Sequence, residues 1–239
     1  MHNVTINGQK IQVPEGSTIL QAARQIGVSV PTLCNLEKRE AIGACRVCLV
    51  DVEGARTLVA SCSTPGTDGR VVRTNSTLAR AARKQEAEML LTAHDRNCQT
   101  CDRSGDCELR ALADEMGVTS LPLEGAKAKK KLDESTPALV RDNAKCVKCR
   151  RCVTVCGEVQ GVGALVPQGR GFQTMIGPAF TRDLDVVACV QCGQCAAICP
   201  VGAIVERSQI PAVWKAIEDP RLHVIVQTAP AIRAALGEC

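Results

Sequence analysis

The chain has 239 residues, which is enough for more than one domain, and it carries a formal charge of +4. Only 1% of the residues are aromatic, so rings cannot supply the usual share of a core. The 16 cysteines are expected to organise the interior instead. No run of about 18 apolar residues predicts a transmembrane helix, and residues 1–14 lack the pattern of an export signal. We therefore expect a cytoplasmic chain whose reduced cysteines bind metal, which excludes a secreted disulfide framework.

The first region, residues 1–76, is predicted to be a small α+β module of ferredoxin type. Residues 2–13 alternate around Asn7-Gly8, a strong signal for a β-hairpin. Ser17 or Thr18 is expected to cap a helix that follows. Two more strands are expected, at residues 49–52 and 58–61.

Four cysteines of this region have the spacing C-x10-C-x2-C-x13-C, namely Cys34, Cys45, Cys48 and Cys62. The short C-x2-C lets two thiolates hold one iron from a tight loop, and four thiolates are what a 2Fe–2S cluster requires. The small residues Gly43 and Ala44 would let backbone amides approach the cluster sulfides. A zinc site with four cysteines is the alternative.

The second region, residues 77–120, is predicted to be helical. Apolar residues at a helical period predict one helix over 78–91, on a face formed by Leu78, Ala81, Ala82, Met89 and Leu90. A second, shorter helix is expected near residues 108–116.

Between these two helices lies a second set of potential ligands: His94, Cys98, Cys101 and Cys107. Three thiolates leave a 4Fe–4S cluster one ligand short, and a neutral imidazole can complete it, as His does at some iron–sulfur centres. A zinc site with the same four ligands is an alternative, and so is a surface histidine that binds nothing. The position of this set between other cysteine sets favours iron–sulfur.

The third region, residues 140–210, contains a duplicated motif. Its two copies are Cys146, Cys149, Cys152 and Cys156, then Cys189, Cys192, Cys195 and Cys199, with Pro200 following. The spacing C-x2-C-x2-C-x3-C is that of two-cluster bacterial ferredoxins, in which the fourth cysteine of each copy binds the other cluster. One 4Fe–4S cluster is then expected on Cys146, Cys149, Cys152 and Cys199, and the other on Cys189, Cys192, Cys195 and Cys156.

These sets use fifteen cysteines and leave Cys239 without a role. Fifteen thiolates and four cluster cores of about +2 each bring the net charge to roughly −3, so the basic formal charge does not indicate nucleic-acid binding. Residues 121–139, with the basic run Lys127–Lys131, are predicted to be a solvated linker. In the tail, a helix is expected at 212–217, a strand with a structural His223 at 222–226, and a helical start at 229–237.

The order of these sets resembles the N-terminal electron-transfer region of iron-only (FeFe) hydrogenases. It also resembles the start of the iron–sulfur subunit of respiratory complex I and the small diaphorase subunit of NAD-reducing hydrogenases. The resemblance implies a β-grasp fold for residues 1–76 and a bacterial-ferredoxin fold for about 140–210.

The tail is similar to the opening of the H-cluster (hydrogenase) domain, through VIVQTAPAIR at 224–233 and ALGE at 235–238. The active site of that family depends on later cysteine motifs, and these 239 residues contain none. The resemblance therefore implies a hydrogenase alpha subunit whose catalytic domain is missing from this chain, with residues 211–239 as its start.

In such an assembly the chain would relay electrons between a flavin/NAD(P)H-binding subunit and a hydrogen-activating site. A small 2Fe–2S subunit is a further expected partner, and ferredoxin another. Two alternatives stay open: a relay of a diaphorase or formate dehydrogenase with no hydrogenase domain, and a structural zinc-binding scaffold. Electron direction and the choice of NAD or NADP do not follow from the sequence.

Overall fold

The computed structural model describes residues 1–122, 125 and 131–237. The chain divides into two compact units, residues 1–206 and residues 207 onward, and each is described by itself. Most of the basic run predicted as linker, and Cys239, lie outside the described residues. Within the described part of the chain, no helix combines the length and apolar character needed to cross a bilayer.

The first region is built on a five-stranded mixed sheet. The predicted hairpin is confirmed: β1 (His2–Ile6) and β2 (Gln9–Val13) pair antiparallel, and Asn7 and Gly8 turn the chain with φ of +49° and +86°. The other strands are β3 (Leu49–Val52), β4 (Val59–Ala60) and β5 (Arg70–Arg73), and the sheet order is β2-β1-β5-β3-β4. The pairing of β1 with β5 is parallel, whereas the other pairings are antiparallel.

The helix α1 (Ile19–Gln25) supplies one side of the core of this sheet. Thr18 is its N-cap: the Thr18 hydroxyl accepts from the N–H of Gln21, and the Gln21 side-chain oxygen accepts from the N–H of Thr18. This reciprocal pair makes Thr18, and not Ser17, the cap, so the helix begins at Ile19. The largest fully buried side chains of the core are Val4, Ile6, Val13, Ile19, Leu20, Val50 and Val72.

The second region contains α2 (Thr77–Ala93) and α3 (Glu108–Glu115), as the sequence predicts. The predicted apolar face of α2 is wrong, however, because Leu78 is 62% and Met89 43% exposed. The buried residues are instead Ala79, Arg83 and Ala87. Since α2 packs against both β3 and α3, small side chains are favoured where the backbones approach, and hydrophobicity alone does not identify that face.

The duplicated cysteine motifs lie among short strands and helices. Three strands, β6 (Leu132–Asp133), β7 (Leu139–Asp142) and β10 (Ile204–Glu206), form an antiparallel sheet of order β10-β7-β6. A separate hairpin pairs β8 (Val166–Gln168) with β9 (Met175–Gly177). Each motif runs into a short helix, α4 (Arg151–Thr154) for the first motif and α5 (Gln194–Ala197) for the second.

Residues 131–139 differ from the predicted linker, because they fold onto this third region. Asp133 forms an ion pair of 3.1 Å with Arg141, and these side chains are 1% and 3% exposed. Arg141 also donates to the carbonyl of Ile176, and Asp133 accepts from the N–H of Leu184. A charged segment reads as solvated in the sequence, but this carboxylate is part of a buried network.

A single hydrophobic cluster, here called the shared core, contains residues of all three regions. Leu33 and Val47 come from the first region, Leu109 from the second, and Val147 and Val201 from the third. The cysteines of the cluster are Cys34, Cys45 and Cys149, with Cys107, Cys146 and Cys199 packed against them. The cysteine sets are therefore joined by packed side chains.

The second unit contains α6 (Ile210–Glu218) and α7 (Pro230–Leu236), at the positions predicted for helices. The strand predicted at 222–226 is wrong, since this segment has no strand pairing with any described residue, and a strand needs a partner for its backbone groups. His223 is exposed, so the structural role predicted for it is wrong as well.

Candidate metal centres

The four cysteines of the first region form one buried group. Cys34, Cys45, Cys48 and Cys62 are between 1% and 4% exposed. Hydrogen bonds between thiols join Cys45 to Cys34, Cys34 to Cys62 and Cys62 to Cys48. These bonds lower the pKa of Cys34 and of Cys48, which accept, and raise the pKa of Cys45 and of Cys62, which donate.

The loop before β3 carries two of these thiols in an unusual backbone conformation. Gly43 and Arg46 have φ of +64° and +59°. Left-handed residues turn successive N–H groups toward one side of the chain, which creates a concavity suited to negative charge. Backbone N–H groups of Ala44 and Cys45 hydrogen-bond the Cys34 thiol and lower its pKa further. The loop therefore stabilises thiolate at this group.

His94 caps the C-terminus of α2 and is only 6% exposed. Burial lowers its pKa, although a hydrogen bond to the Lys145 backbone acts in the opposite direction. The Nδ1 atom of His94 is buried and has no hydrogen-bond partner among the described residues. A neutral imidazole with one free nitrogen is the form that binds a metal.

The three cysteines of the second set lie where this region meets the third. Cys107 is the N-cap of α3, whose Glu108 donates its N–H to the carbonyl of Pro200 at 3.0 Å. A Cβ added at Gly202 would lie 2.6 Å from the Sγ of Cys101, so this thiol touches the third-region backbone. Cys98 is exposed, on the 3-10 turn Cys98–Thr100.

One cavity of the third region is here called the Cys146 cavity. Its space not filled by atoms is about 390 Å³, a volume that includes space open to solvent. Its cysteines come from both copies of the motif: Cys146, Cys149, Cys152 and Cys199. The polar residues Arg141, Asn143 and Arg150, together with Pro200 and apolar side chains, complete the lining. Burial raises the pKa of Cys146 to about 11 and of Cys149 to about 12.

A second cavity, here called the Cys189 cavity, has about 370 Å³ of the same kind of space. It is lined by Cys189, Cys192 and Cys195 of the second copy and by Cys156 of the first. Burial again comes first among the causes that raise the pKa of Cys195 to about 11. The two cavities thus exchange their fourth cysteine.

The two copies follow the same backbone path around their cavities. Lys148 and Arg150 have φ of +57° and +64°, and the equivalent Gln191 and Gly193 have +54° and +74°. Residues other than Gly rarely adopt these positive φ angles. In the first copy it directs the N–H of Lys148 to the Sγ of Cys146 at 3.4 Å.

The four thiols of the first region and the thiols that line the two cavities of the third region fit iron–sulfur clusters. Buried thiols with a raised pKa stay protonated near neutral pH unless a cation stabilises the thiolate, and cluster iron supplies that charge. Among the described residues, no three His, Cys, Asp or Glu side chains close around a point the size of one ion. The cysteines of the third region instead line two cavities, and the N–H of Lys148 there bonds to the Sγ of Cys146.

Sequence reasoning missed three buried arginines beside the cysteine sets. Arg83, Arg141 and Arg151 are 3% to 7% exposed, and each has one buried guanidinium nitrogen without a hydrogen-bond partner. Arg151 also pairs with Glu108 at 2.6 Å, next to Cys107. A charged residue in a helical pattern ordinarily indicates a solvated face, so composition carries no signal for these residues.

Fold and site together define a multi-cluster iron–sulfur protein that carries electrons. Three family models match the chain. Residues 1–77 match a 2Fe-2S iron-sulfur cluster binding domain, residues 83–122 the NADH-ubiquinone oxidoreductase-G iron-sulfur binding region, and residues 145–203 a 4Fe-4S dicluster domain.

Two relatives align with all of this chain. The NADP-reducing hydrogenase subunit HndD of Solidesulfovibrio fructosivorans is 46% identical, and iron hydrogenase 1 of Clostridium pasteurianum is 34% identical. This chain spans 42% of the length of each relative.

A solved structure of an NAD+-reducing [NiFe]-hydrogenase in the H2-reduced state is also similar. The TM-score is 0.80 at 31% identity, over 87% of this chain and 88% of that chain. The chain therefore belongs to the family of multi-cluster iron–sulfur electron-transfer subunits of NAD(P)-linked hydrogenases and complex I-like enzymes, as its motifs predict.

Proposed function

We propose that this chain relays single electrons through one 2Fe–2S and three 4Fe–4S clusters to a hydrogen-activating site of the FeFe type. The single observation that carries the proposal is the exchange of the fourth cysteine between the Cys146 and Cys189 cavities. That exchange keeps two redox centres close together, which suits electron transfer and has no use in a zinc scaffold. When bound, the clusters supply the one-electron carriers.

The ligand sets of the proposal are those expected from the sequence. Buried thiolates would hold the clusters, and the surrounding N–H groups and burial would set their potentials. The His94 imidazole would replace one thiolate, leave its cluster less negative and raise its potential. The full sets are Cys34, Cys45, Cys48 and Cys62; His94, Cys98, Cys101 and Cys107; Cys146, Cys149, Cys152 and Cys199; and Cys189, Cys192, Cys195 and Cys156.

The hydrogenase assignment is supported by the tail. The alignments with both hydrogenase relatives extend over residues 207–239 as well as the cluster regions. In the proposed complex, which we place in the cytoplasm, a flavin/NAD(P)H-binding subunit exchanges electrons with the chain. A small 2Fe–2S subunit and ferredoxin are further proposed partners.

Metal analysis after anaerobic purification tests the cluster proposal. About 14 iron atoms with matching sulfide are expected per chain. Cys199→Ser should remove the cluster of the Cys146 cavity although this residue lies in the second copy of the motif, and Cys239→Ser should leave the iron content unchanged. Zinc in place of iron and sulfide would support the scaffold alternative and contradict the relay.

A second candidate, a diaphorase-type relay without a hydrogenase domain, is favoured by one observation. This chain covers 88% of the similar chain in the [NiFe]-hydrogenase structure. The gene sequence beyond residue 239 separates the two candidates: further cysteine motifs in the same frame support the FeFe assignment, and a stop codon supports the second candidate.

A further inference from the structure

Arg83 is a buried cation whose charge is not matched by a carboxylate. It lies in the middle of α2, it is 5% exposed, and the described residues include no ion pair to it. A buried guanidinium without a counter-charge is strongly unfavourable. The position therefore favours a nearby negative charge, which no ion pair among the described residues supplies.

The geometry directs this cation toward the first cysteine group. The Nε of Arg83 donates to the carbonyl of Leu49 at 2.8 Å, and Leu49 directly follows Cys48. Its Nη2 is buried without a partner. The hydrogen bond holds the guanidinium next to Leu49, which is the first residue of β3 and directly follows the cysteine loop.

The electrostatic neighbours of Arg83 are few. Burial lowers the pKa of Arg83, whereas the negative charges of Cys48, first, and Glu115, second, raise it. A guanidinium stays protonated throughout the range in which proteins work. Glu115 is an exposed residue, so water screens its charge more than that of the buried thiolate.

We propose that Arg83 is the counter-charge of the 2Fe–2S site and raises its reduction potential. This inference rests on the proposed function, since it requires the cluster on Cys34, Cys45, Cys48 and Cys62. Four thiolates and the oxidised core carry a charge of roughly −2, and one electron from a neighbouring reduced 4Fe–4S centre makes it roughly −3. Arg83 stabilises the more negative form more strongly; no bond forms or breaks, and no proton moves.

The test is a redox titration of the whole cluster-loaded chain, followed by electron paramagnetic resonance. Arg83→Met removes the charge at similar volume, and buried charges are often replaced by apolar residues without loss of stability. We expect the equilibrium constant for reduction of the 2Fe–2S site to fall about tenfold, a shift of about −59 mV for one electron. The 4Fe–4S midpoints should move less, because the guanidinium is hydrogen-bonded at Leu49, directly after Cys48 of the first cysteine group.

Two variants serve as controls. Arg80→Met removes the same charge one turn earlier on α2, from an exposed side chain. It should change the equilibrium constant for reduction of the 2Fe–2S site by less than twofold. Arg83→Lys keeps a charge at the site and should retain most of the wild-type potential.

The outcomes separate this inference from the function on which it rests. A wild-type chain without a 2Fe–2S signal would refute the proposed function, whereas an unchanged midpoint in loaded Arg83→Met would refute only the role of Arg83. A cluster retained in Arg83→Lys but lost in Arg83→Met would support a requirement for the charge. Loss of the cluster in both Arg83→Lys and Arg83→Met would show that Arg83 acts through packing and would overturn the inference.

Discussion

Gly202 lies so close to Cys101 that a Cβ would stand 2.6 Å from its Sγ. A free thiol would rotate away at little cost, but a thiol bound to iron is held in place. Gly202→Ala should therefore weaken the cluster of the second set selectively, although Gly202 belongs to the third region. Electron paramagnetic resonance and iron content would measure the loss, which should reach up to about four irons per chain.

Gly157→Ala is the matched control for that change, because no atom lies within 4 Å of a Cβ built there. It should leave every cluster signal in place. Wild-type spectra for Gly202→Ala would mean that Cys101 is free to move and is not a ligand.

His94 offers a second residue-scale prediction. Its Nδ1 is buried and unpartnered, so His94→Ala should alter one 4Fe–4S signal and leave the other three clusters intact. His94→Cys should keep that cluster and lower its midpoint potential, since a thiolate adds negative charge where the imidazole was neutral. His223→Ala, at an exposed position, should change nothing; unaltered spectra in His94→Ala would remove His94 from the ligand set.

At this scale the cysteine spacing predicts the grouping of Cys146, Cys149 and Cys152 with Cys199, because it is the spacing of two-cluster ferredoxins, in which the fourth cysteine of each copy binds the other cluster. The partners of the charged side chains do not follow from spacing. Arg83 carries the ordinary signal of a solvated helix position, and only the approach of α2 to β3 shows that it is buried.

At the scale of elements, the buried pair of Asp133 and Arg141 joins β6 to β7. Asp133→Asn should lower the free energy of unfolding by about 3–5 kcal/mol at pH 7, because it leaves the Arg141 guanidinium buried without its counter-charge. Urea unfolding would measure the change. The pair of Lys131 with Asp183, whose side chains are 27% and 51% exposed, is the control, and Asp183→Asn should cost about 0–1 kcal/mol.

The same pair has a defined pH dependence. Burial raises the pKa of Asp133, but hydrogen bonds from Ser135 and the charge of Arg141 outweigh it and hold the pKa below its ordinary value. A depressed pKa stabilises the folded chain above about pH 4 and loses this effect as the pH falls through the folded-state value. Equal stability of wild type and Asp133→Asn at pH 7 would contradict a stabilising role.

Elements with local signals are the ones that sequence patterns predict. The turn at Asn7-Gly8 and the cap at Thr18 are set by residues adjacent in the chain, so the first hairpin and α1 begin and end as expected. The strand expected at 222–226 lacks a pairing strand among the described residues. In the segment predicted as linker, β6 instead pairs with the neighbouring strand β7, and Asp133 also accepts from the N–H of the distant Leu184. The charged composition of this segment does not predict that its carboxylate is buried.

At the scale of the whole molecule, the shared core makes the cysteine regions of residues 1–206 depend on one another. Leu109 is 1% exposed within it, so Leu109→Ala should cost about 2–5 kcal/mol. Because this core contains Cys34, Cys45 and Cys149, urea should bleach 2Fe–2S and 4Fe–4S absorption together and at a lower concentration. Leu78→Ala, at a 62% exposed position, should change stability by less than about 0.5 kcal/mol.

Two separate bleaching transitions in Leu109→Ala would contradict this coupling.

The cysteine sets predict which regions exist, because each set marks one of them. Their joining does not follow from the sequence, since Leu33, Leu109 and Val201 lie far apart in the chain and only the folded structure brings them into one cluster.

The exchange of cysteines between the two cavities also has a consequence for biosynthesis. Cys199 lines the Cys146 cavity, so a ribosome that has released only the first motif has produced three of the four thiols of that cavity. Under the proposed ligand set, the cluster of this cavity could be completed only after the second motif has been synthesised, and a translational pause between residues 156 and 189 would leave three thiols without their fourth partner.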